Sequence, residues 1–167
     1  FETFMANPAE VRIQTFQRDT GCTLRFGKAG MTDAVRLMDI VRASSTLPGA
    51  MTPRPVDGHV LYDGGLGEGA GIPVCMAERD GFARTFLVAT RPRGYRKQPP
   101  TPTEQRLYER IAGDHPFLLK ALLTRWERYN DELERVERLA AGGSVYVVWP
   151  ERMMVSSGTT SATLLNA

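Results

Sequence analysis

The apolar run Val60-Leu61-Tyr62 passes directly into Asp63-Gly64-Gly65, and no other stretch restricts the fold as much. It sets a carboxylate at the carboxyl end of a short strand, at a sheet edge, where α/β folds place their chemistry. The two glycines allow positive φ angles and the close approach of another backbone or a ligand. Upstream, Ala43-Ser44-Ser45-Thr46-Leu47-Pro48 reads as the end of a helix, closed by small residues and stopped by proline. Asp-Gly is also an ordinary turn signal, so on spacing alone a plain strand-to-helix turn fits equally well.

Around this junction the elements follow from periodicity. Residues 1–8 read as a frayed arm ending at Asn7-Pro8. Glu10 to Gln17 alternates apolar and polar, and Cys22 to Phe26 alternates again after the turn residues Asp19-Thr20-Gly21, which predicts a β-hairpin. Thr32 is the expected N-cap of a helix over 33–43, with Asp33 in its first turn. Ala34, Val35, Met38 and Val41, widened by Leu37, form its apolar stripe. Pro48, Pro53 and Pro55 mark 47–58 as a loop outside any ladder, closed by a tight Asp57-Gly58 turn. His59, Leu61 and Asp63 then share a strand face, which makes His59 a conceivable general base, although a strand-edge histidine is the preferred reading. Gly67, Gly69 and Gly71 lack the lysine and the flanking pattern of a phosphate or dinucleotide loop.

Pro73 suits the first turn of a helix over 73–80 with Val74, Met76 and Ala77 inward. Thr85 to Ala89 is nearly all apolar, the pattern of a strand buried on both faces of a parallel sheet, so a right-handed βαβ unit is expected here. Glu104 to Ala112 forms a helix with Leu107, Tyr108 and Ile111 on one side. A longer helical stretch after His115-Pro116 carries Phe117, Leu118, Ala121, Leu122, Trp126 and Tyr129, breaks at Asn130, and continues through Leu133, Val136 and Leu139. Glu132, Glu134, Arg135, Glu137 and Arg138 read as its solvated face. Gly142-Gly143 ends it, Ser144 to Trp149 is a strand, and the tail over 151–167 reads as loop or short helix.

Between strand and helices, Arg91, Arg93, Arg96 and Lys97 gather around Tyr95. Two readings apply: a contact for anionic lipid headgroups, or a solvated loop whose charges pair locally. The neighbouring Pro99, Pro100 and Pro102 favour exposure, hence the second.

The order helix, A-S-S-x-L-P, proline-rich loop, strand, D-G-G and Ile72-Pro73-Val74 resembles the C-terminal half of the patatin-like phospholipases. Thr90-Arg91-Pro92-Arg93-Gly94-Tyr95-Arg96-Lys97 resembles a bacterial branch of that family, and the resemblance runs from about Glu10 to Pro150. It implies a partial three-layer α/β sandwich with a mostly parallel sheet over 9–97, and a helical extension with a terminal strand over 98–167. It also implies a serine acyl hydrolase acting on lipid or other esters through a Ser–Asp dyad. Asp63 is its aspartate, Gly64 and Gly65 its active-site backbone, and no cofactor or metal takes part. The implied nucleophile lies in an earlier G-x-S-x-G elbow, preceded by a glycine-rich oxyanion loop. None of Ser44, Ser45, Ser144, Ser156, Ser157 and Ser161 has glycines two before and two after, and Phe1 is a poor native start. The expectation is a piece carrying half an active site, inactive alone, that binds its missing N-terminal half or a second copy of itself.

Composition narrows the alternatives. A net charge of +2, from 21 Lys+Arg and 19 Asp+Glu, argues neither for nucleic acid nor for an acidic partner. With no aromatic interleaving and no wider basic face, no nucleic-acid partner is expected. Cys22 and Cys75 form no metal or C-x-x-C spacing and read as reduced thiols of a cytoplasmic protein, one that can lie against the inner membrane face. No apolar run approaches the ~18 residues of a membrane span. The rival from another class is a non-enzymatic α/β interaction module in which Asp63 is only a turn residue and the basic loop docks a partner.

Overall fold

The computed structural model describes residues 1–152; the part of the tail beyond them, with Ser156, Ser157 and Ser161, lies outside the described residues. The chain opens with a short helix, α1 (Glu2–Ala6), where a frayed arm was expected. The hairpin follows as β1 (Arg12–Gln17) and β2 (Thr23–Gly27), paired antiparallel from Arg12↔Gly27 to Phe16↔Thr23. Next come α2 (Ala34–Ser44), β3 (Pro55–Val56) and β4 (His59–Asp63). The larger sheet has the order β2-β1-β4-β3 and is antiparallel throughout.

A mixed α/β chain is therefore found, but the mostly parallel sheet is not. Tight turns at Asp19–Gly21 and Asp57-Gly58 make β1–β2 and β3–β4 antiparallel, since a parallel pair needs a crossover of a dozen residues or more. Strand β4 meets β1 antiparallel across the longer connection through α2. Both Asp57 and Gly58 have positive φ, 52° and 76°, as a two-residue hairpin turn of the primed kind requires. That hairpin draws Pro55 into a ladder opposite Val60, correcting the expected loop. A proline is accommodated there because β3 is an edge strand.

Helices cover both faces of this sheet. On one side α2 packs Ile40 and Ala43 against Met31, Val56 and Leu61, all buried, with Leu37 partly so. Asp33, not Thr32, caps α2: its carboxylate accepts the Arg36 N–H at 2.8 Å. The buried face of α2 is also not the expected one. Val35, Met38 and Val41 are 73%, 64% and 42% exposed, because Leu37, Ile40 and Ala43 make a second stripe of the same spacing.

On the other side lie α4 (Pro102–Ala112) and α5 (Pro116–Leu123), which bury Ala112, Leu118 and Ala121 against Phe16, Tyr62 and Leu66. Helix α4 starts with a full capping box between Thr101 and Glu104. A third core joins Ile72 and Val74, at the start of α3 (Val74–Arg79), to Leu133 and Val136 of α6 (Arg125–Ala141). Helix α6 runs unbroken through Asn130. The break expected there falls at Thr124 instead, whose hydroxyl donates to the Lys120 carbonyl at 2.9 Å.

β5 (Thr85–Val88) does not join the larger sheet. It pairs in parallel with β6 (Val145–Val148), so no βαβ unit links it to β4. Nor is it buried on both faces: Phe86 is 66% and Val88 70% exposed, and Phe86 stacks on Tyr146 with ring centroids 4.8 Å apart. Its apolar run reflects a parallel ladder with one face uncovered. No helix among the described residues is long and apolar enough to cross a membrane.

Candidate functional site

Asp63 ends β4 in register with Thr15 of β1. Its backbone N–H donates to the Thr46 carbonyl at 2.9 Å, so the exit of α2 and the end of β4 are tied at one point. That bond accounts for the A-S-S-T-L-P stretch: Thr46 has to leave the helix for its carbonyl to face β4. The Asp63 carboxylate then caps the 3-10 turn Gly64–Leu66, Oδ1 accepting the Gly65 N–H at 2.6 Å. Among the described residues nothing donates to Oδ2. The half-buried side chain borders an open concavity of about 350 Å³, whose wall includes Arg12, Gln14, Ser44 and Ile72.

The glycines serve close approach rather than positive φ. Neither Gly64 nor Gly65 has a positive φ; Gly69 and Gly71, farther along, do. A Cβ on Gly64 would overlap the Gln14 carbonyl oxygen and lie 2.8 Å from its carbon. Gln14 in turn clasps the turn, its Nε2 donating to the Gly64 carbonyl at 2.9 Å and the Glu68 carbonyl at 2.7 Å. Ser44 also faces this concavity, but its hydroxyl donates to the Gln14 carbonyl at 2.7 Å. His59 is remote from it, held by Gln17 at 2.9 Å, and His115 lies 3.6 Å from Asp19.

Two arginines behind the turn escaped sequence reasoning. Arg125 Nε donates to the Gly65 carbonyl at 3.0 Å, and Arg128 Nη1 donates to the Leu66 and Gly67 carbonyls, each at 2.9 Å. Burial, and then the neighbouring Arg125, holds the Arg128 guanidinium below its ordinary pKa. A Cβ on Gly65 would be 2.7 Å from Arg125 Nη2 and 2.8 Å from Asp63 Oδ1, so a cation and the carboxylate border one small space. The available signal was Arg125 and Arg128 at i, i+3 beside Trp126 and Tyr129, cations set into an apolar stripe.

The basic loop is pinned, not free. Asn130 Oδ1 accepts the Lys97 N–H at 2.9 Å, and its Nδ2 donates to the Lys97 carbonyl at 3.0 Å. Arg96 pairs with Glu137 at 2.8 Å, and Arg91 lies over the Tyr95 ring at 5.4 Å. Arg91, Tyr95, Arg96 and Lys97 all line a cavity of about 490 Å³ against Trp126; Arg93 is exposed and not part of its lining. Burial, then Arg125 and Arg91, lowers the Lys97 ammonium to a pKa of about 8, from 10.5. With the folded pKa depressed, the folded state binds fewer protons than the unfolded chain between those values. The contribution of Lys97 to stability therefore rises with pH from about 8 to 10.5, its penalty standing in full below 8. Cys75, Tyr62, Tyr108 and Tyr129, whose pKa values burial raises, act in the opposite direction. Lys97→Met should remove that rising contribution from urea midpoints measured across this range; an unchanged slope would assign it to another group.

Among the described residues no group of three or more His, Cys, Asp or Glu side chains is placed to hold a metal ion. Cys22 and Cys75 are free thiols.

A carboxylate with one oxygen fixed and one open, at the end of a strand in an α/β scaffold, is the kind of group that hydrolases use to take a proton. Residues 4–76 match the family model described as "Patatin-like phospholipase", a span that contains β1 to β4 and the Asp-Gly-Gly turn and ends inside α3. Residues 115–167 match a model described as "Domain of unknown function (DUF6363)". No curated protein and no solved structure matches the chain. The first match makes residues 4–76, less than half of the chain, similar to the patatin-like phospholipases.

Proposed function

We propose that this chain carries the aspartate half of a Ser–Asp dyad in a patatin-like lipid acyl hydrolase. The observation that carries the proposal is Asp63, which lines the concavity with Oδ1 held by the Gly65 N–H and with no donor to Oδ2 among the described residues. Oδ2 takes the proton of a serine hydroxyl as that oxygen attacks an ester carbonyl. The alcohol leaves, and water then hydrolyses the acyl-enzyme. A carboxylate free in water, with a pKa of about 3.9, is a weak base for this task. A direct hydrogen bond to the serine sets the geometry of the proton transfer. The absence of side chains at Gly64 and Gly65 keeps the turn low, so a nucleophile can approach.

The serine comes from polypeptide outside these 167 residues. Ser44, the serine facing Asp63's concavity, gives its proton to a backbone carbonyl rather than to the carboxylate. The chain alone should therefore neither hydrolyse short-chain p-nitrophenyl esters nor react with a fluorophosphonate probe. Turnover by the isolated chain that Asp63→Asn abolishes would overturn this division of the site. A longer form of the protein that carries the chain and still shows no esterase activity would favour the interaction-module reading.

The uncovered face of β5–β6, with Phe86, Val88, Tyr146 and Val148 exposed, supports a partner there: the remaining part of the hydrolase, or a second copy. Sedimentation velocity of the isolated chain should show concentration-dependent association that Phe86→Ser with Tyr146→Ser relieves. A monomer at every concentration, before and after substitution, would count against it.

A further inference from the structure

We propose that the cavity between the Arg91–Lys97 loop and helices α4 to α6 binds a phosphate group, with Lys97 and Arg125 as its charge partners and Trp126 as its apolar wall.

The first support is unbalanced charge. Of the cavity's cations, Arg96 is neutralised by Glu137. No carboxylate among the described residues comes within ion-pair distance of Lys97 or Arg125. Lys97 Nζ instead lies over the Tyr129 ring at 4.8 Å, and Arg125 spends one N–H on the Gly65 carbonyl. The carboxylate lining the cavity, Glu104, is already engaged: its Oε2 accepts the Thr101 N–H and hydroxyl, both at 2.7 Å. A half-buried ammonium beside the Arg125 guanidinium is costly without an anion.

Shape and rigidity are the second support. The Asn130 clamp and the Arg96–Glu137 pair hold the loop in place, so the cations are positioned before any ligand arrives. Arg125, with Nε spent on the Gly65 carbonyl, keeps guanidinium N–H groups for phosphate oxygens, and Lys97 adds a point charge. Trp126, Tyr108 and Leu122 offer an apolar surface to whatever carries the phosphate.

The cavity also reaches the candidate site through Arg125, which touches both the cavity and the backbone of the Asp-Gly-Gly turn. The inference rests on the hydrolase reading for its biological source, the phosphorylated head of the ester to be cleaved. The binding itself does not need that reading.

The test uses the full 167-residue chain in its Trp149→Phe form, so that Trp126 is the remaining tryptophan and reports from the cavity wall. Inorganic phosphate, glycerol 3-phosphate and acetate are titrated at constant ionic strength. Vesicles of phosphatidylglycerol and of phosphatidylcholine are compared by flotation. The expected result is saturable quenching by the phosphates and not by acetate. Affinity should fall by about tenfold or more in Lys97→Gln and in Arg125→Gln, as for loss of one charge-assisted contact, and stay unchanged in Arg93→Gln. Circular dichroism confirms the fold of each variant, and Lys97→Gln, which breaks no described hydrogen bond, decides if Arg125→Gln unfolds. Response to phosphatidylglycerol vesicles assigns the phosphate to a lipid head; response to the soluble phosphates alone assigns it to a free ligand. No saturable response, equal response to acetate, or equal loss in Arg93→Gln overturns the proposal. Because binding is read without turnover, these outcomes stand apart from failure of the Ser–Asp assignment.

Discussion

Asp63→Asn in the complete hydrolase should lower ester turnover by about 10²- to 10⁴-fold, the usual contribution of a positioned general base. Substrate binding should change little. The substitution suits the geometry because the Asn carbonyl oxygen can take over Oδ1's role and accept the Gly65 N–H, keeping the 3-10 turn. What it removes is the proton-accepting second oxygen. The loss should therefore fall on kcat rather than KM, with thermal unfolding close to the parent's. Ser44→Ala is the matched control from the same concavity: it gives up a hydrogen bond to Gln14, worth roughly 1 kcal/mol, without touching the dyad. An Asn variant within a few-fold of wild type would reduce Asp63 to a turn residue.

Gly64→Ala should be strongly destabilising, costing about 3 kcal/mol, at the upper end for overpacking. The added methyl meets the backbone of Gln14, which is fixed on both sides by β2 and by the turn it clasps. Nothing flexible is available to move aside. For a chain of this size that cost corresponds to a fall of roughly 6–12 °C in Tm. Gly65→Ala differs instructively. Its methyl meets the end of the Arg125 side chain and the Asp63 carboxylate, both of which can rotate away. It should cost less stability and more activity, since the carboxylate has to turn. Gly30→Ala, with nothing within 4 Å of the added carbon, should be near neutral. Equal melting temperatures for Gly30→Ala and Gly64→Ala would show that β1 and the turn are not packed as described.

The hairpin and the Asp57-Gly58 turn were legible because each depends on residues close together along the chain. The capping box at Thr101, by contrast, was missed, and the helix expected from Glu104 starts at Pro102. The D-G-G junction was legible as a strand end, and its glycines as a place of close approach. What they approach, the Gln14 carbonyl some fifty residues earlier, has no local trace. The outward face of α2 was misread because two apolar stripes of the same spacing run along it, and burial of Leu37, Ile40 and Ala43 is decided by what Met31, Val56 and Leu61 offer. The Arg91–Lys97 loop read as solvated for a similar reason: Asn130, a residue that suggested a helix break, instead holds the loop from within α6.

Local chemistry in the chain determined where strands and helices start and stop, and that a carboxylate closes β4. Tertiary packing alone decided that β4 pairs with β1, that β5 pairs with β6, and that Arg125 sits behind the Asp63 turn. The physical reason is range: turns and caps are satisfied by neighbours along the backbone, whereas burial and ion pairing are settled by whichever distant group arrives to share the space.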